Sequence, residues 1–258
     1  MSQITYREAL RMALQESMRE DSTIIVMGED VGLYGGAYGV TKGMIEEFGE
    51  KRILDTPISE EGIVGCAVGS AMTGLRPVVE LMYVDFVMLA MDQLANQAAK
   101  IRYMFGGQIS VPMVMRAQGG TGRSGAAQHS QSLEAWMMHT PGLNLAMPAT
   151  VNDAYLLLKH ALKLSDPVVF IEHKMLYTLK GDLNKSESIS WGQAAILRSG
   201  SDFTLVTYSR MVHRALEASE KLAELGIQAE VIDLRTLYPL DTETINSSVK
   251  KTGRALVV

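Results

Sequence analysis

The run from Ile53 to Asp92, ILDTPISEEGIVGCAVGSAMTGLRPVVELMYVDFVMLAMD, holds a polar turn, a helix of small residues, an apolar strand and a second turn carrying aromatics. Ser59-Glu60-Glu61 looks like a helix start, with a hydroxyl to cap free N–H groups and carboxylates to complement the positive end of the dipole. Gly62, Gly65, Ala67, Gly69, Ser70, Ala71 and Gly74 then recur, so little bulk separates this helix from whatever packs on it. Arg76 to Leu81 reads as a short buried strand, and Tyr83 to Phe86 follows at its carboxyl end, where open α/β sheets place ligands. A carboxylate and an aromatic ring are therefore expected in one cleft.

The flanking sequence extends this into an α/β pattern. Thr5 to Met18 carries Tyr6, Ala9, Leu10, Ala13 and Leu14 at helical spacing behind a threonine cap, and Thr23 to Gly28 is a β-branched strand. Glu29 opens a loop containing Gly35, Gly36 and Gly39 and is a second candidate carboxylate. Val87 to Met104 reads as a long helix, Val111 to Ala117 and Leu143 to Met147 as strands, Thr150 to Leu164 as a helix capped by Thr150 or Asn152, and Val168 to Glu172 as a strand. Roughly six strands alternating with helices predict a doubly wound, mostly parallel sheet over residues 1–185. Periodicity lapses between His173 and Gly200, which reads as the linker. Phe203–Tyr208, Met211–Leu225, Gln228–Asp233, Asp241–Val249 and Ala255–Val258 then alternate as strand and helix, so residues 186–258 form a second, smaller α/β unit.

A formal net charge of -5 without a basic block offers no footprint for nucleic acid or an anionic membrane. The amino end carries charges where a signal peptide needs its apolar core, and no stretch approaches a membrane span, so the expected location is the cytoplasm or, for a mature eukaryotic form, the mitochondrial matrix. The single cysteine, Cys66, sits among small apolar residues and is expected to be a buried thiol.

One rival signal stands out. Gly120, Gly122 and Gly125 satisfy G-x-G-x-x-G after a strand, which suggests a dinucleotide-binding oxidoreductase. That reading needs an acidic residue about 20 positions on, at the end of the next strand, where Met147-Pro148-Ala149 stands instead. His129, just beyond these glycines, has no partner at a fixed spacing and by residue type alone is only a polar side chain.

Thr56-Pro57-Ile58-Ser59-Glu60, Gly74-Leu75-Arg76-Pro77, Gln97-Ala98-Ala99-Lys100, Tyr103-Met104-Phe105-Gly106-Gly107 and Ala126-Ala127-Gln128-His129-Ser130-Gln131 occur in one order. In this the chain resembles, from about Thr5 to its last residue, the β subunit of the thiamine-diphosphate-dependent E1 component of 2-oxo acid dehydrogenase complexes, a transketolase-like family. The resemblance implies an enzyme that cleaves pyruvate, a branched-chain 2-oxo acid or acetoin and passes the acyl group to a lipoyl arm on E2. It implies that Glu60 is the carboxyl group hydrogen-bonded to the pyrimidine of the cofactor, that Phe86 packs on the pyrimidine face beside Tyr83, that Glu29 lies near the same end of the sheet, and that His129 assists lipoyl acylation. Glu61 complicates this picture unless it points into solvent, because a second carboxylate raises the cost of charging the first.

The diphosphate and its Mg2+ require a GDG motif with a later asparagine, and Gly181-Asp182-Leu183 is no such motif. The resemblance therefore implies an α subunit that supplies that half, in an α2β2 assembly with the site at the αβ interface. Some members hold a structural K+ on backbone carbonyls, which here would involve Ala161, Leu164 and Asp166; a plain helix-to-strand turn is the competing reading. The C-terminal domain of the family continues further, so the chain is expected to be a fragment. The segments Val79–Phe86 and Glu172-His173-Lys174 look more like acetoin or pyruvate members than branched-chain ones. A noncatalytic scaffold for an α subunit is the remaining alternative.

Overall fold

Thr5 closes a short strand, Gln3–Thr5, and caps the helix Tyr6–Glu20 with a reciprocal box: its hydroxyl accepts from the Glu8 N–H at 3.2 Å, and the Glu8 carboxylate accepts from the Thr5 N–H at 2.7 Å. The buried stripe of this helix packs on the helix Val151–Ala161, which Thr150, not Asn152, caps through the Asp153 N–H. The computed structural model describes residues 3–258.

Both helices cover one face of a seven-stranded sheet. Its spatial order is Thr236–Tyr238, Asn144–Ala146, Val168–His173, Val114–Gly119, Arg76–Leu81, Ile24–Gly28, Ile53–Asp55. The last six strands are parallel and the first is antiparallel. Alternation with period two divides each strand between two cores: Ile24 and Val26 face the capped helices, whereas Ile25 and Met27 face the small-residue helix Glu60–Met72 and the segment after it. That segment is continuous but not uniform, running from Val87–Met91 through a π-helical stretch, Asp92–Ala98, to Ala99–Met104.

A second sheet, in the order Ala255–Val257, Phe203–Thr207, Ala229–Asp233, Ala195–Arg198, carries the helices Met211–Glu224 and Thr242–Thr252. Its first three strands are parallel and its last is antiparallel. No helix among the described residues is long and apolar enough to cross a membrane.

Two readings change. The segment read as linker contains the strand Lys180–Asp182, paired antiparallel with Gln3–Thr5, and the edge strand Ala195–Arg198. Both are short and exposed, so neither needs the apolar alternation by which strands are recognised. Cys66 is exposed rather than buried, because it lies on the face of its helix turned away from the sheet while Ile63, Val64, Ala67 and Val68 fill the other.

Candidate functional site

In a parallel sheet every strand delivers its following turn to the same edge. Ile53–Asp55 leads to Glu60, Ile24–Gly28 to Glu29, Arg76–Leu81 to Tyr83 and Phe86, and Val114–Gly119 to the loop bearing His129. These four strands are consecutive neighbours, so at about 4.8 Å per strand the five side chains share a strip on the order of 15 Å long.

Glu60 is the first residue of its helix, 8% exposed, behind Ser59, whose hydroxyl accepts from the Gly62 N–H at 3.3 Å. Glu61 is exposed and points into solvent, which removes the conflict between adjacent carboxylates. Burial, then the negative charges of Asp30 and Glu60, push the Glu29 carboxyl above its usual range, so the two candidate carboxylates sense one another.

Three rings meet edge-on at the same end of the sheet. Tyr83 lies 6.0 Å from Phe86 and 4.7 Å from His129 between ring centroids, and Phe86 lies 5.5 Å from His129, all near perpendicular. Tyr38 extends the group, 6.4 Å edge-on to Tyr83 and stacked at 4.5 Å on Tyr177. Burial, followed by its hydrogen bond with Tyr83, pushes the Tyr38 hydroxyl up to about 12, so it stays protonated as a donor.

Beneath the rings lies a charged cluster that periodicity conceals. Arg116, fully buried, donates from Nε and Nη2 to both oxygens of Glu172 and from Nη1 to Glu80, each at 2.7 Å. Tyr177 donates to Glu172 at 2.6 Å, and the Ala37 N–H to Glu80 at 3.2 Å. Glu80 is the direct ladder partner of Arg116, and Glu172 is two residues beyond Phe170, the partner of Arg116 on the next strand. In sequence the three are isolated polar letters in apolar runs, 36 and 56 residues apart.

The glycine loop opens no helix. It leads to a single 3-10 turn, Ala127–His129, so the N-terminal anion site on which the dinucleotide reading depends is missing. Gly120 instead has φ +82°, and a Cβ there would meet the His173 ring at 2.3 Å.

His173 lines a cavity of about 290 Å³ with Gly120, Thr121, Tyr208, Ser209 and Arg210, between the carboxyl ends of the two sheets. Its Nδ1 accepts from the Met175 N–H at 3.2 Å, and burial, then Arg210 and Lys174, lower its pKa to about 4. An imidazole depressed in the folded state contributes stability that is complete above its unfolded value of about 6.5 and lost as pH falls through the folded one. Between about pH 6.5 and pH 4 the melting temperature is therefore expected to fall less in His173→Gln than in the parent; parallel profiles in a calorimetric pH series would refute this.

Of the residues considered for a monovalent cation, Ala161 and Leu164 have carbonyls that already accept hydrogen bonds. The carbonyls of Leu162 and Leu164 accept from Arg76 Nη1 at 3.0 and 2.9 Å, the Ala161 carbonyl accepts from the Leu164 N–H, and the Asp166 carboxylate pairs with Arg102 at 3.1 Å. A positive charge thus already faces the Leu164 oxygen. No group of three or more His, Cys, Asp or Glu side chains suited to a metal occurs among the described residues.

Residues 2–180 match the family described as transketolase, pyrimidine binding domain, and residues 192–258 match transketolase, C-terminal domain. The pyruvate dehydrogenase E1 component subunit beta of Rickettsia conorii is 50% identical over 257 residues, covering 99% of this chain and 79% of the relative. The beta subunit of acetoin:2,6-dichlorophenolindophenol oxidoreductase of Cupriavidus necator is 46% identical over 266 residues, covering 99% and 78%. The 2-oxoisovalerate dehydrogenase subunit beta of Bacillus subtilis is 46% identical over 260 residues, covering 100% and 80%. Among solved structures, a split gene transketolase described as an inactive beta4 tetramer superposes with a TM-score of 0.83 at 23% identity, covering 99% of this chain and 79% of the other, a likeness of fold alone.

Proposed function

Because the chain belongs to the E1 β-subunit family of 2-oxo acid and acetoin dehydrogenases, a thiamine-diphosphate-dependent, transketolase-like family, we propose that it forms the pyrimidine-side half of an E1 active site acting on pyruvate or acetoin. The observation that carries this reading is the convergence of Glu60, Glu29, Tyr83, Phe86 and His129 on the carboxyl ends of four adjacent parallel strands.

The donor set suits an aminopyrimidine. It offers a largely buried carboxyl group to hydrogen-bond a ring nitrogen and flat apolar faces to hold the ring. Bound thiamine diphosphate would supply the carbanion-stabilising chemistry that cleaves the bond next to a carbonyl. Glu60, largely shielded from water, would hydrogen-bond a nitrogen of the pyrimidine. Phe86 and Tyr83 would pack the ring and exclude solvent, and Glu29 lies at the same end of the sheet. His129, edge-on to both rings, donates a proton toward the lipoyl acceptor.

The diphosphate and Mg2+ fall to an α subunit, which the relatives' description as β subunits implies, in an α2β2 assembly that docks on a lipoyl-bearing E2. A division at residues 185/186 into a pyrimidine-binding and a C-terminal unit belongs to the same proposal, as does K+ at Ala161, Leu164 and Asp166, in competition with the Arg76 guanidinium. The cytoplasm, or the matrix for a mitochondrial form, is the corresponding location.

The test is reduction of an artificial electron acceptor by the chain co-expressed with its α subunit, with thiamine diphosphate and Mg2+, against pyruvate, acetoin and 3-methyl-2-oxobutanoate. Pyruvate or acetoin is expected to stand out. A branched-chain preference would overturn the substrate assignment, and no signal from an assembled, cofactor-loaded complex would favour the scaffold reading.

A further inference from the structure

His129 sits on a loop whose backbone is not relaxed. Ser124 and Ala126, both non-glycine, have φ of +54° and +63°, a conformation that costs on the order of 1 kcal/mol or more each and persists only where the surroundings enforce it. Two buried charged residues grip the chain just after that strain.

Asp85, 5% exposed, lies in the turn between Tyr83 and Phe86, and its Oδ1 accepts from the N–H groups of Ser130 at 3.2 Å and Gln131 at 3.1 Å. Its Oδ2 is buried without a hydrogen-bond partner. Lys174, also 5% exposed, donates from Nζ to the carbonyl oxygen of His129 and stands 5.1 Å from the centre of the Tyr83 ring.

The carbonyl of His129 and the N–H of Ser130 belong to one peptide unit. An anion holds its positive end and a cation its negative end, the alignment that a dipole of about 3.5 D prefers. Burial lowers the Lys174 pKa and the Asp85 carboxylate pulls it back up, so the two charges sense one another across that unit.

We propose that Asp85 and Lys174 are positioning residues that clamp the 129–130 peptide from its two ends and so fix the His129 imidazole edge-on to Tyr83 and Phe86. The role rests on the function given to His129 above. Asp85 ties the loop to the turn carrying both aromatics, so the clamp sets the imidazole against the rings and not merely against the sheet. One residue further on, the Gln131 carbonyl accepts from the Gly120 N–H at 3.0 Å, so the clamp acts next to a backbone tie to the sheet.

The experiment uses the assembled αβ complex with cofactors and two readouts: the ratio of lipoyl-domain acylation to artificial-acceptor reduction, and hydrogen exchange of the Ser130 and Gln131 amides. Asp85→Ala is expected to lower acylation about tenfold more than acceptor reduction, since a small misplacement of a proton donor is costly, and to speed those amides at least about tenfold. Asp85→Asn, whose carbonyl still accepts both N–H groups, restores most of each. Should Asp85→Ala fail to assemble, Lys174→Met read in the same two ways decides. An unchanged ratio with unchanged exchange overturns the clamp. His129→Ala separates the two levels: if it fails to shift the ratio, the function assigned to His129 falls, while the exchange readout still tests the clamp.

Discussion

Replacing Glu60 by glutamine is expected to lower turnover of the assembled enzyme by about 10²–10⁴-fold, the range for removing a positioned acid–base group, while the αβ complex still forms. Glutamine matches glutamate in size and keeps two hydrogen-bonding atoms, so the helix start keeps its Ser59 cap and its packing. What it lacks is a proton that can be held or released at the carboxyl oxygen. The loss of negative charge near a helix N-terminus costs about 0.3–1 kcal/mol, too little to threaten a chain of this size. Glu60 is only 8% exposed, so water is poorly placed to substitute for the missing carboxyl group. Steady-state kinetics with size-exclusion chromatography of the complex make the measurement, and wild-type turnover in the glutamine variant would refute the role.

Replacing Arg116 by methionine should have the largest effect on stability. The guanidinium is the only cation in a buried cluster with two carboxylates, and removing it strands them, at a cost of about 3–5 kcal/mol. For a protein of this length each kcal/mol moves the melting temperature by about 2–4 °C, so a fall on the order of 10 °C is expected by calorimetry. Burial pushes the Glu172 carboxyl up against the opposing pull of Arg116 and Tyr177, and without Arg116 it rises further. An acid whose folded pKa exceeds its unfolded one destabilises above that value and ceases to do so as pH falls through it. The deficit of Arg116→Met should therefore shrink from pH 8 to pH 5. Arg116→Lys should recover little, because an ammonium cannot bridge Glu172 in bidentate fashion and reach Glu80 as well. An unchanged melting temperature would show that the cluster does not hold the sheet.

The alternation of apolar strands with periodic helices was enough to read the doubly wound sheet, and a strand followed by Tyr83 and Phe86 was enough to bring rings toward a carboxylate. Ordinary pattern fails at Arg116, Glu80 and Glu172, because each occupies a position whose partner lies on another strand and only register brings them together. It fails at Asp85 and Lys174 for a related reason: both act on backbone atoms, and a backbone acceptor leaves no letter in the sequence. Cys66 misled because small apolar neighbours signal close packing without saying against what. The strands Lys180–Asp182 and Ala195–Arg198 were invisible because pairing at an exposed rim needs no apolar alternation.

The antiparallel strand Thr236–Tyr238 comes from the second unit but completes the first sheet, against Asn144–Ala146. Without it, Asn144–Ala146 would end the sheet with unpaired N–H and C=O groups, a template on which other chains can aggregate. The carboxy-terminal unit therefore supplies the edge strand of the amino-terminal sheet. Swinging the units apart would break backbone pairing, so they should unfold as one cooperative body rather than in sequence.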